Sequence, residues 1–195
     1  MLASSSPRRK EILRSIGLQF EVIESHFDED SVEKEYEPYY LAKFLAFEKA
    51  KDVFTRFNQC IVVGADTMVI FNGEVYGKPK DKEDARRMLK NLSGNVHEVV
   101  TGVAILAKDG RFAIDSEITK VYFNELSEDD IDAYISTGEY KGKAGGYGIQ
   151  GRGAVLVKKI EGSYTNVVGL PIEVLCRMFQ KIDESIYESW KTQAI

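Results

Sequence analysis

The stretch HEVVTGVAILAKDGRFAIDSEITKVYF, residues 97–123, decides the fold. HEVVTGVAILA and RFAIDSEITKVYF are long runs rich in β-branched and aromatic residues, with Asp109-Gly110 between them as a turn pair. So short a connection joins antiparallel neighbours, because a parallel crossover needs a helix-sized detour. Helical patterns lie on both sides of this pair. The expected class is therefore α/β, a mixed twisted sheet flanked by helices rather than a doubly wound parallel sheet.

Working outward, Ser6 followed by Pro7 opens a helix, with the serine able to cap and proline tolerated at the first helical position. Ile12, Leu13 and Ile16 form its apolar stripe and Gly17 ends it. LQFEVIES (18–25) alternates as a strand does. An acidic stretch, HFDEDSVEKEYEP, leads into YYLAKFLAFEKAKDVFTRF (39–57), whose apolar residues recur at helical spacing. CIVVGAD (60–66) is an apolar run suited to a strand buried on both faces, ending at Asp66. MVIF-NG-EVYG (68–77) is a hairpin, because Asn72-Gly73 favours a type I′ turn. DKEDARRMLKNL (81–92) and SEDDIDAYISTG (127–138) are helices led by acids, as the dipole favours. The glycine-rich GKAGGYGIQGRG (142–153) precedes a strand, AVLVKKIEG (154–162), and LPIEVLCRMFQKI (170–182) is a last helix. With no internal repeat or linker, residues 1–195 read as a single unit.

The composition, 44% hydrophobic and 29% charged, is that of a globular protein. A net charge of −5 argues against a nucleic-acid partner, which asks for a broad basic face. No run approaches the roughly eighteen apolar residues of a membrane span. Arg8, Arg9 and Lys10 are not followed by the apolar core and cleavage site of a signal peptide, so a cytoplasmic location is expected. Cys60 and Cys176 each sit in an apolar segment and read as buried reduced thiols. His26 and His97 stand at no metal-ligand spacing to them.

Two motifs mislead. GYGIQG (146–151) fits G-x-G-x-x-G, but the dinucleotide fingerprint needs a strand before it and a helix after, and here a strand follows. GEVYGKP (73–79) resembles a Walker loop with too few residues between its glycines, and Pro79 stands where a hydroxyl should bind magnesium.

The chemistry gathers elsewhere. In SSSPRR (4–9) a helix start, three hydroxyls and two guanidinium forks coincide. Cations at a helix N-terminus oppose the dipole by about 0.3–1 kcal/mol each, a penalty that a bound polyanion reverses. Asp66 and Thr67 close a buried strand, where ligands gather in α/β folds. Asp28, Glu29 and Asp30 could hold Mg²⁺ beside a phosphate site. Lys78, stiffened by Gly77 and Pro79, and Lys49, on the second helix, are candidate phosphate contacts. Gln150 sits among glycines with both a donor and an acceptor to read a base edge. Together these suit phosphoanhydride hydrolysis, where catalysis is mostly positioning and charge neutralisation.

The blocks LASSSPRRKEIL, FDED, LAFEKA, VVGADTMV, GKPKDKEDARRMLKNLSG, HEVVTGVAI, KAGGYGIQG and NVVGLPI run from residue 2 to about 172. In that order they resemble the Maf family of nucleoside triphosphate pyrophosphatases, relatives in fold of the inosine triphosphate pyrophosphatases. The resemblance implies an elongated, bilobed unit with a central cleft. It implies hydrolysis between the α and β phosphates, giving a nucleoside monophosphate and pyrophosphate with a divalent metal, Mg²⁺ or Mn²⁺. The family's general base falls on Asp66, and its substrate-binding and charge-stabilising positions fall on Ser6, Arg9, Glu29, Lys49 and Lys78, with Glu29 and Asp66 toward the metal. The positions that separate specificity classes hold Arg8, Thr67 and Gln150, which resembles the dTTP/UTP class. Its partners would be a nucleoside triphosphate, no nucleic acid and no membrane, with a homodimer left open. The alternative is a nucleotide-binding regulator of cell division with little turnover. Members usually carry several apolar residues before LAS, whereas here only Met1 and Leu2 remain, so either the first strand is short or the recorded start lies inside the natural one.

Overall fold

The computed structural model describes residues 1–32 and 36–191. Residues 33–35 of the acidic stretch and 192–195 of the tail lie outside the described residues, as does the side chain of Asp30. In chain order the elements are β1 (Leu2–Ala3), α1 (Pro7–Ser15), α2 (Pro38–Arg56), β2 (Val62–Phe71), β3 (Glu74–Tyr76), α3 (Lys82–Leu92), β4 (Val96–Leu106), β5 (Phe112–Phe123), α4 (Glu128–Ser136), β6 (Val157–Glu161), α5 (Tyr164–Val168), α6 (Ile172–Lys181) and α7 (Glu188–Lys191). The sheet runs β1-β2-β4-β5-β6, with β3 paired to β2. β1 lies parallel to β2, while β2/β3 and β5/β6 are antiparallel, so the sheet is mixed.

The 97–123 stretch folds back on itself. Ala107 N–H donates to Arg111 O at the turn, and Phe123 N–H donates to Asn95 O at the far end, both at 2.9–3.0 Å. Asn72 and Gly73 both take positive φ, 51° and 80°, as a type I′ turn demands. Asp81 caps α3 by accepting from Asp84 N–H at 2.8 Å. Ser127 and Asp130 close a reciprocal capping box on α4.

Three local expectations are corrected. LQFEVIES makes only an isolated bridge, Val22 to Leu2, because β1 is two residues long and offers one position to pair with. The strand at CIVVGAD does not stop at Asp66: β2 continues to Phe71, so Asp66 and Thr67 sit in its middle. The segment read as the strand AVLVKKIEG begins as a 3₁₀ turn over Gly151–Leu156, and β6 starts only at Val157.

The chain divides into two compact units. One takes residues 1–66, 101–117 and the chain from Gly169 onward; the other takes 67–100 and 118–168. In the first, Ala3, Ala46, Ala50 and Ala104 are fully buried around Val53 and Val62, and Leu2, Ile105, Leu170, Leu175, Met178 and Ile182 are buried as well. The second buries Leu89, Leu92, Phe123, Ile131 and Tyr147 together. Among the described residues no helix is long and apolar enough to cross a membrane.

Candidate active site

In the first unit, helix α2 lies directly on strand backbone. Ala42, Ala46 and Ala50 repeat every four residues, so they form one stripe, and all three are fully buried. They meet glycines: a Cβ on Gly64 of β2 would collide with Ala46 O and fall 2.8 Å from Ala50 N. A Cβ on Gly102 of β4 would collide with Ala42 O and fall 2.6 Å from Lys43 N. This close approach carries Lys49, on α2, to Asp66, two residues beyond Gly64.

Lys49 Nζ donates to Asp66 Oδ1 at 2.6 Å and pairs with Glu29 Oε1 at 2.8 Å. The Lys49 and Asp66 side chains are 12% and 11% exposed, against 44% for Glu29. One shielded ammonium thus joins a strand carboxylate to a carboxylate on a more open segment. Two hard oxygen donors converging on one cation also fit Mg²⁺ or Mn²⁺, with phosphate oxygens completing the shell. Among the described residues there is no group of three or more His, Cys, Asp or Glu side chains able to hold a metal unaided.

The basic start of α1 stands beside this pair. Because Ala3 pairs with Gly64 in parallel register, the chain leaves β1 next to the approach to Asp66. Ser4, 7% exposed, accepts at Oγ from Ser6 N–H and from Arg9 Nη1, both at 3.2 Å. Arg9 Nε donates to Gly169 O at 2.7 Å. Gly169 has φ 125°, a conformation closed to residues with a Cβ. Burial pulls the Arg9 guanidinium below its ordinary range, Asp66 and Glu29 draw it back up, and Arg8 pushes it down. Arg8, Glu29 and Asp66 thus each act on Arg9, and Lys49 bridges the two acids. Ser6 occupies the cap position of α1 without a side-chain capping bond, contrary to expectation, and its own N–H donates to Ser4 Oγ.

Thr67, Lys78 and Gln150 belong to the second unit. Thr67 is half-buried on β2, while Lys78 and Gln150 are exposed in loops. The Lys78 loop is tied to the glycine-rich loop by Gly145 N–H donating to Gly77 O at 3.1 Å. Asp28 is exposed and its carbonyl accepts from Ser31 Oγ at 2.7 Å. Both cysteines are free thiols, half-buried rather than buried. The roles of Ser4 and Gly169 escaped the sequence. A backbone carbonyl has no side-chain signature, and three successive serines give no sign of which one turns inward.

The class is thus a mixed α/β protein with a lysine-bridged carboxylate pair beside a basic helix start. The chain belongs to the Maf family: the family model described as "Maf-like protein" matches residues 1–182. The dTTP/UTP pyrophosphatase of Ruminiclostridium cellulolyticum is 48% identical over 187 residues, covering 95% of this chain and 97% of its own. That of Pyrococcus furiosus is 52% identical over 182 residues, covering 92% and 93%. Among solved structures, a nucleoside-triphosphatase / dITP/XTP pyrophosphatase from Mycobacterium abscessus aligns over 63% of this chain and 71% of its own, at 15% identity and TM-score 0.40. At that level of likeness the fold stands on the strand order itself.

Proposed function

We propose that the protein hydrolyses nucleoside triphosphates, dTTP and UTP foremost, to the nucleoside monophosphate and pyrophosphate, with residues 1–195 acting as a single Maf-like domain. Relatives bearing the dTTP/UTP pyrophosphatase name at about half identity across nearly the whole chain support the reaction class. The observation that carries the mechanism is the Lys49 ammonium between Asp66 and Glu29, beside the Arg8-Arg9 helix start.

Arg8, Arg9, Ser6 and the first turn of α1 hold the phosphate chain, where guanidinium forks and the helix dipole meet its charge. Arg9 keeps its orientation through Ser4 and Gly169. Asp66 accepts the proton of the attacking water, and its contact with the Lys49 ammonium holds that carboxylate in place. Lys49 and Lys78 offset charge as the anhydride bond breaks. Glu29 and Asp66 would hold a divalent cation, which when bound neutralises phosphate oxygens. Thr67, Arg8 and Gln150 select the pyrimidine.

The test is product analysis. Purified protein with UTP or dTTP and Mg²⁺ or Mn²⁺ is expected to release UMP or dTMP with pyrophosphate. Release of a nucleoside diphosphate with orthophosphate would overturn the α–β assignment, and tight binding without turnover would overturn the enzymatic reading.

A further inference from the structure

Gln150 is exposed, yet the loop that carries it is fastened on both sides by groups with no role in the chemistry above. Before it, Tyr147 is 5% exposed and its hydroxyl shares a 2.6 Å hydrogen bond with His97 Nε2 on β4. The His97, Tyr147 and Phe123 rings meet edge to face, with centroids 4.7–5.4 Å apart. His97 is 2% exposed and its Nδ1 has no hydrogen-bond partner. A buried imidazole with one nitrogen unsatisfied costs stability, so apolar packing alone would serve this core better. What the imidazole adds is a directed bond to Tyr147.

After Gln150, the Glu139 carboxylate accepts from Arg152 N–H at 3.1 Å and from Gly153 N–H at 3.4 Å. At the base of the loop, Gly153 presses on Gly148 O so closely that a Cβ would collide with it and lie 3.1 Å from Tyr134 Oη. The segment 147–153 is therefore a pinched loop, anchored at Tyr147 and at 152–153, with Gln150 at its tip.

We propose that His97 and Glu139 are positioning residues for nucleotide selectivity: they hold the loop in one shape, so that the Gln150 carboxamide meets the base edge already oriented. This rests on Gln150 being the base-reading residue. A preorganised amide discriminates between donor and acceptor patterns, whereas a mobile one turns to suit either. Burial holds the His97 imidazole neutral down to about pH 4, so the clamp keeps one charge state near neutrality.

The experiment compares kcat and KM for UTP and CTP, whose bases differ at the carbonyl or amino group of one ring position, together with thermal unfolding. His97→Phe strands the Tyr147 hydroxyl and is expected to reduce the UTP preference by about tenfold, mostly through KM. Tyr147→Phe strands the imidazole and acts alike. The double variant strands neither group and is expected to recover most of the preference. Glu139→Ala lowers the preference, and Glu139→Gln, which keeps an acceptor oxygen, restores part of it. If Gln150→Ala alters the preference while His97→Phe and Glu139→Ala shift only the melting temperature, the clamp is refuted and the reading of Gln150 stands. If Gln150→Ala leaves the preference intact, both fall. Losses that simply add in the double variant would also overturn the clamp.

Discussion

The two units hold their candidate residues by different local means. In the first, Arg8, Glu29 and Asp66 act on Arg9, Lys49 pairs with both acids, and alanines and glycines bring α2 onto the strands beneath Lys49. In the second, the loop carrying Gln150 is held by buried rings and by the Glu139 carboxylate, and the buried His97 carries no charge near neutrality. Small residues let helix backbone approach strand backbone, which fixes the origin of a long side chain such as Lys49. Large rings fix a loop from beneath by filling space.

The largest effect expected of any change tests the charged side. Asp66→Asn keeps the shape and removes the proton acceptor, so UTP turnover should fall by about 10²–10⁴-fold, while nucleotide binding stays measurable by titration calorimetry. Near-normal turnover in this variant would leave the Lys49–Asp66 contact a structural ion pair and dissolve the contrast between the units.

Next comes the scaffold. Gly102→Ala forces a Cβ into Ala42 O and towards Lys43 N, both of them α2 backbone that cannot swing aside. A loss of about 3 kcal/mol is expected from the urea midpoint. Activity should fall with it, since lifting α2 moves Lys49 from Asp66. The same change at Gly73, where a Cβ meets nothing, should cost only the strain of φ 80°, roughly 1 kcal/mol.

The neutral side is tested by acid. The His97 pKa is lowered from 6.5 to about 4, with burial as the cause. Between those values the unfolded chain binds a proton that the folded chain refuses, so this contribution is full above pH 6.5 and is lost as pH falls through 4. It amounts to roughly 3 kcal/mol at most. Urea midpoints at pH 7, 5.5 and 4 should show this slope in the wild type and a shallower one in the His97→Phe/Tyr147→Phe double variant, with other acid-sensitive groups common to both. Equal slopes would mean that the buried imidazole does not govern the acid response of this unit.

What was legible in the sequence was local. Asn72-Gly73 announces itself because a turn pair satisfies its own neighbours, and the helices starting at 81 and 127 show in their leading acids, to which the structure adds the Asp81 cap and the Ser127/Asp130 box. The mixed sheet followed from one short connection between two long strands. Two of the misreadings are non-local. Alternation in LQFEVIES promised a strand, but a strand needs a partner, and β1 supplies two residues. An aspartate after VVGA looked like a strand end, yet β2 runs on through it, with β4 beside it and β3 pairing its last residues. For the site, the family blocks carried Glu29, Lys49 and Asp66, and the structure adds that one ammonium joins them. The Gly169 carbonyl, the inward turn of Ser4 and the His97–Tyr147 bond depend on which chains meet, which no single window of sequence contains.

The smallest effect is expected at the far end of α1. Ile16 caps the C-terminus of α1, and its carbonyl accepts from Trp190 Nε1 at 2.7 Å, from a segment beyond the family match at residue 182. Trp190→Phe keeps an aromatic ring against Tyr187, now 5.3 Å away edge to face, and deletes only the donor. Trp190 is 45% exposed, so water can take over the carbonyl and the loss should be about 0.5–1 kcal/mol by circular dichroism in urea. The KM for UTP carries the sharper information. Ser4, Arg9 and Gly169 already fix the start of α1, so KM should move less than about twofold if they suffice. A larger rise would mean that the axis of α1, and with it the direction of its dipole toward the phosphates, is set from both ends, and the charged unit would then owe its geometry to a tail the rest of the family match does not include.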